Sequence, residues 1–308
     1  MLNRVLPADI RALAWAPVGP DFSARFSCLH RTYHYYFPGA GLALGPMDQA
    51  ARLFEGTHDF RNLCKMDVAN GVTSFRRTVL RARVEVLPGE GQAAPGAGPS
   101  AYGMCRFEVR GQAFLYHQVR CMAAVLLLIG QGLEEPGVIA ELLDVERNPC
   151  KPQYSMAVDY PLVLYDCAYE NLEWIVDPDA QSFTVSNLHT MWTQHAIKTR
   201  ILYSMLQGLG QAPSVEEPGS GRDPLRDGAP LPEATAGQAD ALTEGVRPRR
   251  YKRLLERERC EGLESRIRHY AKRGRIELPG AMREAGEGQE DGYRSEDGAT
   301  PALRLPPR

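Results

Sequence analysis

The sequence predicts an α+β fold, an antiparallel sheet with helices packed on it. Three observations carry this. Leu80, Ala82, Val84 and Val86 alternate with Arg81, Arg83 and Glu85, and Cys105, Phe107 and Val109 alternate with Arg106, Glu108 and Arg110. Both are half-buried strands by their period of two. Between them lies Gly89 to Ser100, a Gly/Pro/Ala stretch that reads as a hairpin loop. After them, Phe114 to Ile129 is apolar on nearly all sides beyond Arg120, the mark of a central buried helix. Hairpins with helices between them give an α+β arrangement.

The remaining elements follow in chain order. Ile10 to Ala16 reads as a strand, and so does Thr32 to Phe37, which Pro38-Gly39 closes. Asp48 is placed to cap a short helix through Phe54, with Gly56 past its end. Pro136 stands near the start of a helix that turns Ile139, Leu142 and Leu143 inward. Leu162 to Tyr165 reads as a core strand, and Leu188, Trp192, Ala196, Leu202 and Met205 mark a further amphipathic helix. Four segments result: a folded region 1–207, a disordered linker 208–248 rich in Gly, Pro, Ala and acids, a basic helical module 249–277, and a low-complexity tail 278–308.

Composition excludes several classes. Lys and Arg nearly balance Asp and Glu, with a formal net charge of −2. Any nucleic-acid surface must therefore come from clustering of cations rather than their abundance. The 7 cysteines are scattered and contain no C-x-x-C, which argues against a disulfide framework and a zinc knuckle and for a reducing compartment. The longest apolar run, Cys121 to Ile129, is far short of the ~20 residues of a spanning helix. Residence in the nucleus and/or the cytoplasm is the expectation, with no membrane partner.

Two segments carry candidate chemistry. In Arg31-Thr32-Tyr33-His34-Tyr35-Tyr36, Tyr33 is open to two readings: cross-strand packing, or a phenol stacked on a nucleobase. In Gly111-Gln112-Ala113-Phe114-Leu115-Tyr116-His117-Gln118-Val119-Arg120, Arg120 either snorkels at a helix end or pairs with an acid. The His58-Asp59 pair hints at a metal, but further ligands at definite spacing are missing, so a structural turn is favoured. Basic residues gather at Arg61 to Lys65, at Arg76-Arg77, and from Arg247 to Arg275. The last cluster interleaves Tyr251, His269 and Tyr270 with cations, a better RNA footprint than charge alone. Arg76, Arg77, Arg268, Lys272 and Arg273 are the candidate phosphate contacts.

These segments resemble the TruA-type tRNA pseudouridine synthase family. Asp21-Phe22-Ser23-Ala24-Arg25-Phe26-Ser27 leads into Arg31-x-Tyr33-x-Tyr35, and Phe114-x-x-His117-x-Val119-Arg120 precedes an apolar run ending at Gly130, as in that family. Gly56 to Val72 and the basic C-terminal cluster resemble its eukaryotic branch. The resemblance implies an isomerase without cofactor or metal, acting on tRNA uridines at the 3′ side of the anticodon stem-loop, and a possible homodimer. It implies that Tyr33 contacts the target uracil, that Leu162 covers the other face, and that Arg120 pairs with a nucleophilic aspartate. The family carries that aspartate in a Gly-Arg-Thr-Asp motif that these 308 residues do not contain. Gly221-Arg222-Asp223 lacks the strand context. The expectation is a catalytic domain lacking its N-terminal portion, inactive by itself, with Arg120 facing an open groove without a carboxylate. The alternative is a non-catalytic tRNA-binding fragment.

Overall fold

In the computed structural model the described residues are 2–39, 41–87, 103–210 and 250–276. They divide into two compact units. One joins Met1–Ser27 to Tyr169–Thr235, and the other joins Cys28–Ala168 to Ala236–Arg308.

The second unit is an antiparallel sheet covered by helices, as the alternating segments predict. Its strands are β1 (His30–Pro38), β2 (Gly56–Asp59), β3 (Arg76–Val86), β4 (Met104–Gly111) and β5 (Leu162–Ala168). They lie in the order β2-β3-β4-β1-β5. The covering helices are α1 (Leu44–Arg52), α2 (Gln118–Gly130) and α3 (Val138–Leu143). Tyr35, Phe37, Ala82, Val84, Cys105, Phe107 and Val109 point from the sheet into one hydrophobic cluster with α1, α2 and α3. Every residue of α2 except Arg120 is buried. Each large apolar side chain so enclosed contributes about 1.5–3 kcal/mol. Gly130 lets α1 approach, because a Cβ there would stand 2.4 Å from Met47 Sδ.

Several elements differ from the sequence reading. Leu80 is 47% exposed, not inward. The β3–β4 register shifts between Val79 and Arg81, so Leu80 is an extra residue and Val79 takes its place in the core. Asp48 lies inside α1 rather than at its cap, and its carboxylate accepts from the Val84 amide of β3 (3.0 Å) and from Arg52 (2.9 Å). The central helix begins at Gln118 instead of Phe114. His117 is left-handed (φ 58°), and Gln118 Oε1 accepts from the Leu115 amide at 2.8 Å, which holds Phe114–Tyr116 in a turn. The core strand expected at Leu162–Tyr165 is β5, the outer strand of the sheet, with Val163, Leu164 and Tyr165 exposed.

The described part of the basic helical module expected at 249–277 packs on this unit. This part holds a 3-10 turn at Leu254–Glu256 and helix α5 (Leu263–Lys272). Leu254, Ile267 and Ile276 are buried in the same hydrophobic cluster. The buried Glu134 carboxylate accepts from the Tyr251 hydroxyl (2.5 Å) and the Leu254 amide (2.6 Å). Arg259 donates to the Leu255 and Cys150 carbonyls and to Asn148.

In the first unit, Ile10–Ala16 forms no strand. Trp15 alone bridges to Ile175, through N–H···O bonds of 3.1 and 2.8 Å. Helix α4 (Pro178–Gly210) is longer than predicted. Leu188, Trp192, Ile201 and Met205 are exposed on it. The described residues hold no helix long and apolar enough to cross a membrane. The hairpin loop 89–100, the linker beyond 210 and the tail 278–308 lie outside the described residues.

Packing of the C-terminal segment makes a testable statement about stability. Truncating Leu254, fully enclosed, to Ala should cost about 2–5 kcal/mol in denaturant unfolding. Truncating the exposed Arg273 should change stability by less than about 0.5 kcal/mol. Equal and negligible effects would mean the segment is not part of the core.

Candidate substrate-binding site

The site forms where α2 enters the core beside the ends of β1 and β5. Gly111 ends β4 and leaves room for the Phe114 ring, since a Cβ there would stand 2.8 Å from it. Phe114 in turn presents itself edge-on to Tyr33, with ring centroids 5.1 Å apart at 85°. Tyr33 lies on β1 opposite Val109 of β4 and Leu164 of β5. It is half-buried against the core cluster. Burial raises the pKa of its phenol, and the nearby Arg31 partly opposes this, so the hydroxyl stays protonated at neutral pH. Tyr33 thus packs against the core and is incompletely covered.

Leu162 pairs with Tyr35, two residues along β1 from Tyr33. Opposed residues share a face, so Leu162 sits diagonally from Tyr33, a separation of about 7–8 Å in a regular ladder. Its amide donates to the Asp159 carbonyl at 3.0 Å, which fixes the approach to β5.

Arg120 is the one residue of α2 that is not buried. Its Nε donates to the Ala157 carbonyl at 2.8 Å, and the Ala157 amide donates back to the Arg120 carbonyl at 3.2 Å. The expectation that Arg120 lacks a carboxylate needs correction. Asp159 Oδ2 stands 3.8 Å from its Nη1. The contact is long and one-pronged, and the Asp159 side chain is 80% exposed, so its strength is that of a surface pair. The stretch ahead of β5 crosses the start of α2, and no periodicity in Ser155–Pro161 announces that crossing. Arg120 is thus held by Ala157 and faced by Asp159, whose carbonyl holds the Leu162 amide, and Tyr33 meets Phe114.

His58 and Asp59 take structural roles. His58 Nε2 meets the Glu55 carbonyl at 2.8 Å, and Asp59 binds Arg61 through bonds of 3.1 and 2.6 Å. That bond raises the pKa of Arg61. Of the predicted phosphate contacts, Arg76, Arg268, Lys272 and Arg273 are exposed. Arg77 is not: its Nη1 donates to the Ser74 and Arg76 carbonyls, and burial lowers its pKa. Arg268 and Lys272, one turn apart on α5, line an open cleft of about 750 Å³ with Arg61, Pro149 and Cys150.

The profile of the tRNA pseudouridine synthase family matches residues 50–170. The chain is 56% identical over 282 residues to the tRNA pseudouridine(38/39) synthase of Homo sapiens, covering 91% of this chain and 58% of the human protein. It is 33% identical over 230 residues to the tRNA pseudouridine synthase A of Methanosphaerula palustris, covering 73% of this chain and 72% of the archaeal one. The chain belongs to the TruA-type tRNA pseudouridine synthase family. It spans 58% of the length of its human relative.

The two sides of the Arg120 contact are unequal, and this can be measured. Arg120→Ala leaves the buried Ala157 carbonyl without its donor and should cost about 1–3 kcal/mol of stability. Asp159→Asn should cost less than about 0.5 kcal/mol. The reverse order would show that the carboxylate, rather than the carbonyl, holds the guanidinium.

Proposed function

We propose that this protein works as a tRNA pseudouridine synthase, isomerising uridine to pseudouridine at positions 38/39 of the anticodon stem-loop, the activity in the name of its mammalian relatives. The observation that supports the reading is the edge-on contact between Tyr33, on the Tyr-bearing strand, and Phe114, in the segment that leads into the Arg-bearing helix. In this reading the target uracil stacks on the face of the Tyr33 ring and Leu162 covers the uracil's other side. Arg120 supplies a fixed cation beside the reacting ribose, and the family's aspartate acts at C1′. The Tyr33 hydroxyl, protonated at neutral pH, relays the C5 proton by accepting it as its own proton passes to solvent water. Arg76, Arg268, Lys272 and Arg273 contact phosphates, without cofactor or metal. Nuclear or cytoplasmic residence and pairing of two copies belong to the same proposal, the latter supported by the exposed Trp192 and Ile201 of α4.

A second reading, a tRNA-binding protein without chemistry, is favoured by one observation. Residues 1–308 contain no Gly-Arg-Thr-Asp. One experiment separates the two. The protein purified from its native source, at whatever length it occurs there, is incubated with an anticodon stem-loop, and pseudouridine is mapped at each uridine. Pseudouridine confined to 38/39 supports the enzyme. Binding without pseudouridine supports the second reading, and no binding contradicts both.

Tyr33 gives the finer test. Tyr33→Phe should keep stem-loop affinity, because stacking survives without the hydroxyl. Tyr33→Ala should lose about 1–3 kcal/mol. If the Ala variant binds and turns over like the parent, Tyr33 serves packing alone.

A further inference from the structure

The geometry points to a second RNA contact beside the Tyr33 site: Tyr116 and Lys65 clamp the nucleotide next to the target, the ring by stacking on its base and the ammonium by meeting its phosphate. This rests on the RNA-binding reading above and adds two residues to it.

The argument begins with the backbone. The chain could have entered α2 at Phe114, as its apolar pattern suggests. Instead His117 adopts φ 58°, a conformation that is unfavourable for a residue with a Cβ and persists only where its surroundings enforce it. The turn delivers Phe114 inward to Tyr33 and leaves Tyr116 50% exposed. One face of the Tyr116 ring is backed by the His117 imidazole, with centroids 3.8 Å apart at 29°. A ring held flat by a second ring behind it is pre-organised for stacking. Its position is fixed again by the backbone, where the Lys65 amide donates to the Tyr116 carbonyl at 3.0 Å. That bond also brings the Lys65 ammonium to 5.7 Å from the Tyr116 ring centroid.

The charges at this spot are of one dominant sign. Burial lowers the pKa of His117, and Arg120, Lys65 and Lys151 lower it further, while Asp159 is the acid that opposes them. His117 is therefore a neutral support for the Tyr116 ring, and its Nδ1 is buried without a hydrogen-bond partner. The Lys151 ammonium is already engaged by the Cys64 carbonyl at 2.9 Å and Cys121 Sγ at 3.3 Å. Arg120 holds Ala157. Lys65 is exposed, and its ammonium, 5.7 Å from the Tyr116 ring centroid, is open to an outside anion as well. Tyr116 follows Phe114 by two residues, at most ~7 Å of chain. A base on Tyr116 is thus a close neighbour of a base at Tyr33. An exposed ring with an adjacent ammonium suits single-stranded RNA, whose every base offers a π-face and whose every residue carries a phosphate.

The test uses the full chain and a fluorescently labelled anticodon stem-loop, with dissociation constants measured by anisotropy over a salt series. Tyr116→Phe should bind within twofold of the parent. Tyr116→Ala should bind about tenfold more weakly. Lys65→Gln, at an exposed position that does not perturb folding, should flatten the log K against log salt slope by about 0.7, the loss of one phosphate contact to a single strand. Parent-like affinity in Tyr116→Ala, or an unchanged slope in Lys65→Gln, overturns the clamp while leaving the RNA-binding reading intact. A parent that binds no stem-loop overturns both. Displacement by polyglutamate at concentrations where unlabelled stem-loop has no effect would assign the surface to an acidic peptide and likewise overturn it.

Discussion

The site depends on a two-way backbone tie between α2 and the strand approach to β5. Arg120 Nε donates a hydrogen bond to the Ala157 carbonyl, and the Ala157 amide donates one to the Arg120 carbonyl. Ala157 is 1% exposed, so neither bond competes freely with water. Without this pair the apolar barrel of α2 would still pack on the sheet, but its polar entrance would have no fixed neighbour. With it, a guanidinium, a strand-end leucine and a half-open tyrosine hold constant positions. Fixed donors and fixed charges are what a site needs to favour one bound geometry over others.

The same economy appears at the C-terminal segment. A basic run far along the chain is bound into the core by three apolar residues and by Glu134, a buried carboxylate whose oxygen takes donors from Tyr251 and Leu254. A buried acid so satisfied specifies where the segment docks, because sliding the segment would leave the charge unpaired. Burial and Glu134 together push the Tyr251 phenol well above its ordinary range. The exposed Arg268 and Lys272 then stand on a helix anchored to the sheet unit, not on a tether.

What the sequence disclosed, it disclosed through period and motif. The alternation of Cys105, Phe107 and Val109 is the inward face of β4, and the apolar run after Arg120 is the buried body of α2. Tyr33 and Arg120 stood out through motifs that set them in context. What stayed hidden depends on contacts between distant segments. A single bulge moves Leu80 out and Val79 in. Leu162–Tyr165 is apolar enough for a core strand, yet sheet order makes it an outer one. Asp159 and Ala157 reach Arg120 across 37 and more residues of chain, which local pattern cannot report. Arg77 looked like Arg76, but the turn before β3 folds its guanidinium onto local carbonyls.

Native-state hydrogen exchange at the Ala157 amide tests the central tie most directly. Held by the Arg120 carbonyl and enclosed, this amide should exchange only through large-scale opening, with protection close to that of the α2 core amides. In Arg120→Ala its protection should fall well below theirs, because the side-chain half of the tie is gone. An Ala157 amide that exchanges at the rate of an exposed loop in the parent would contradict the account.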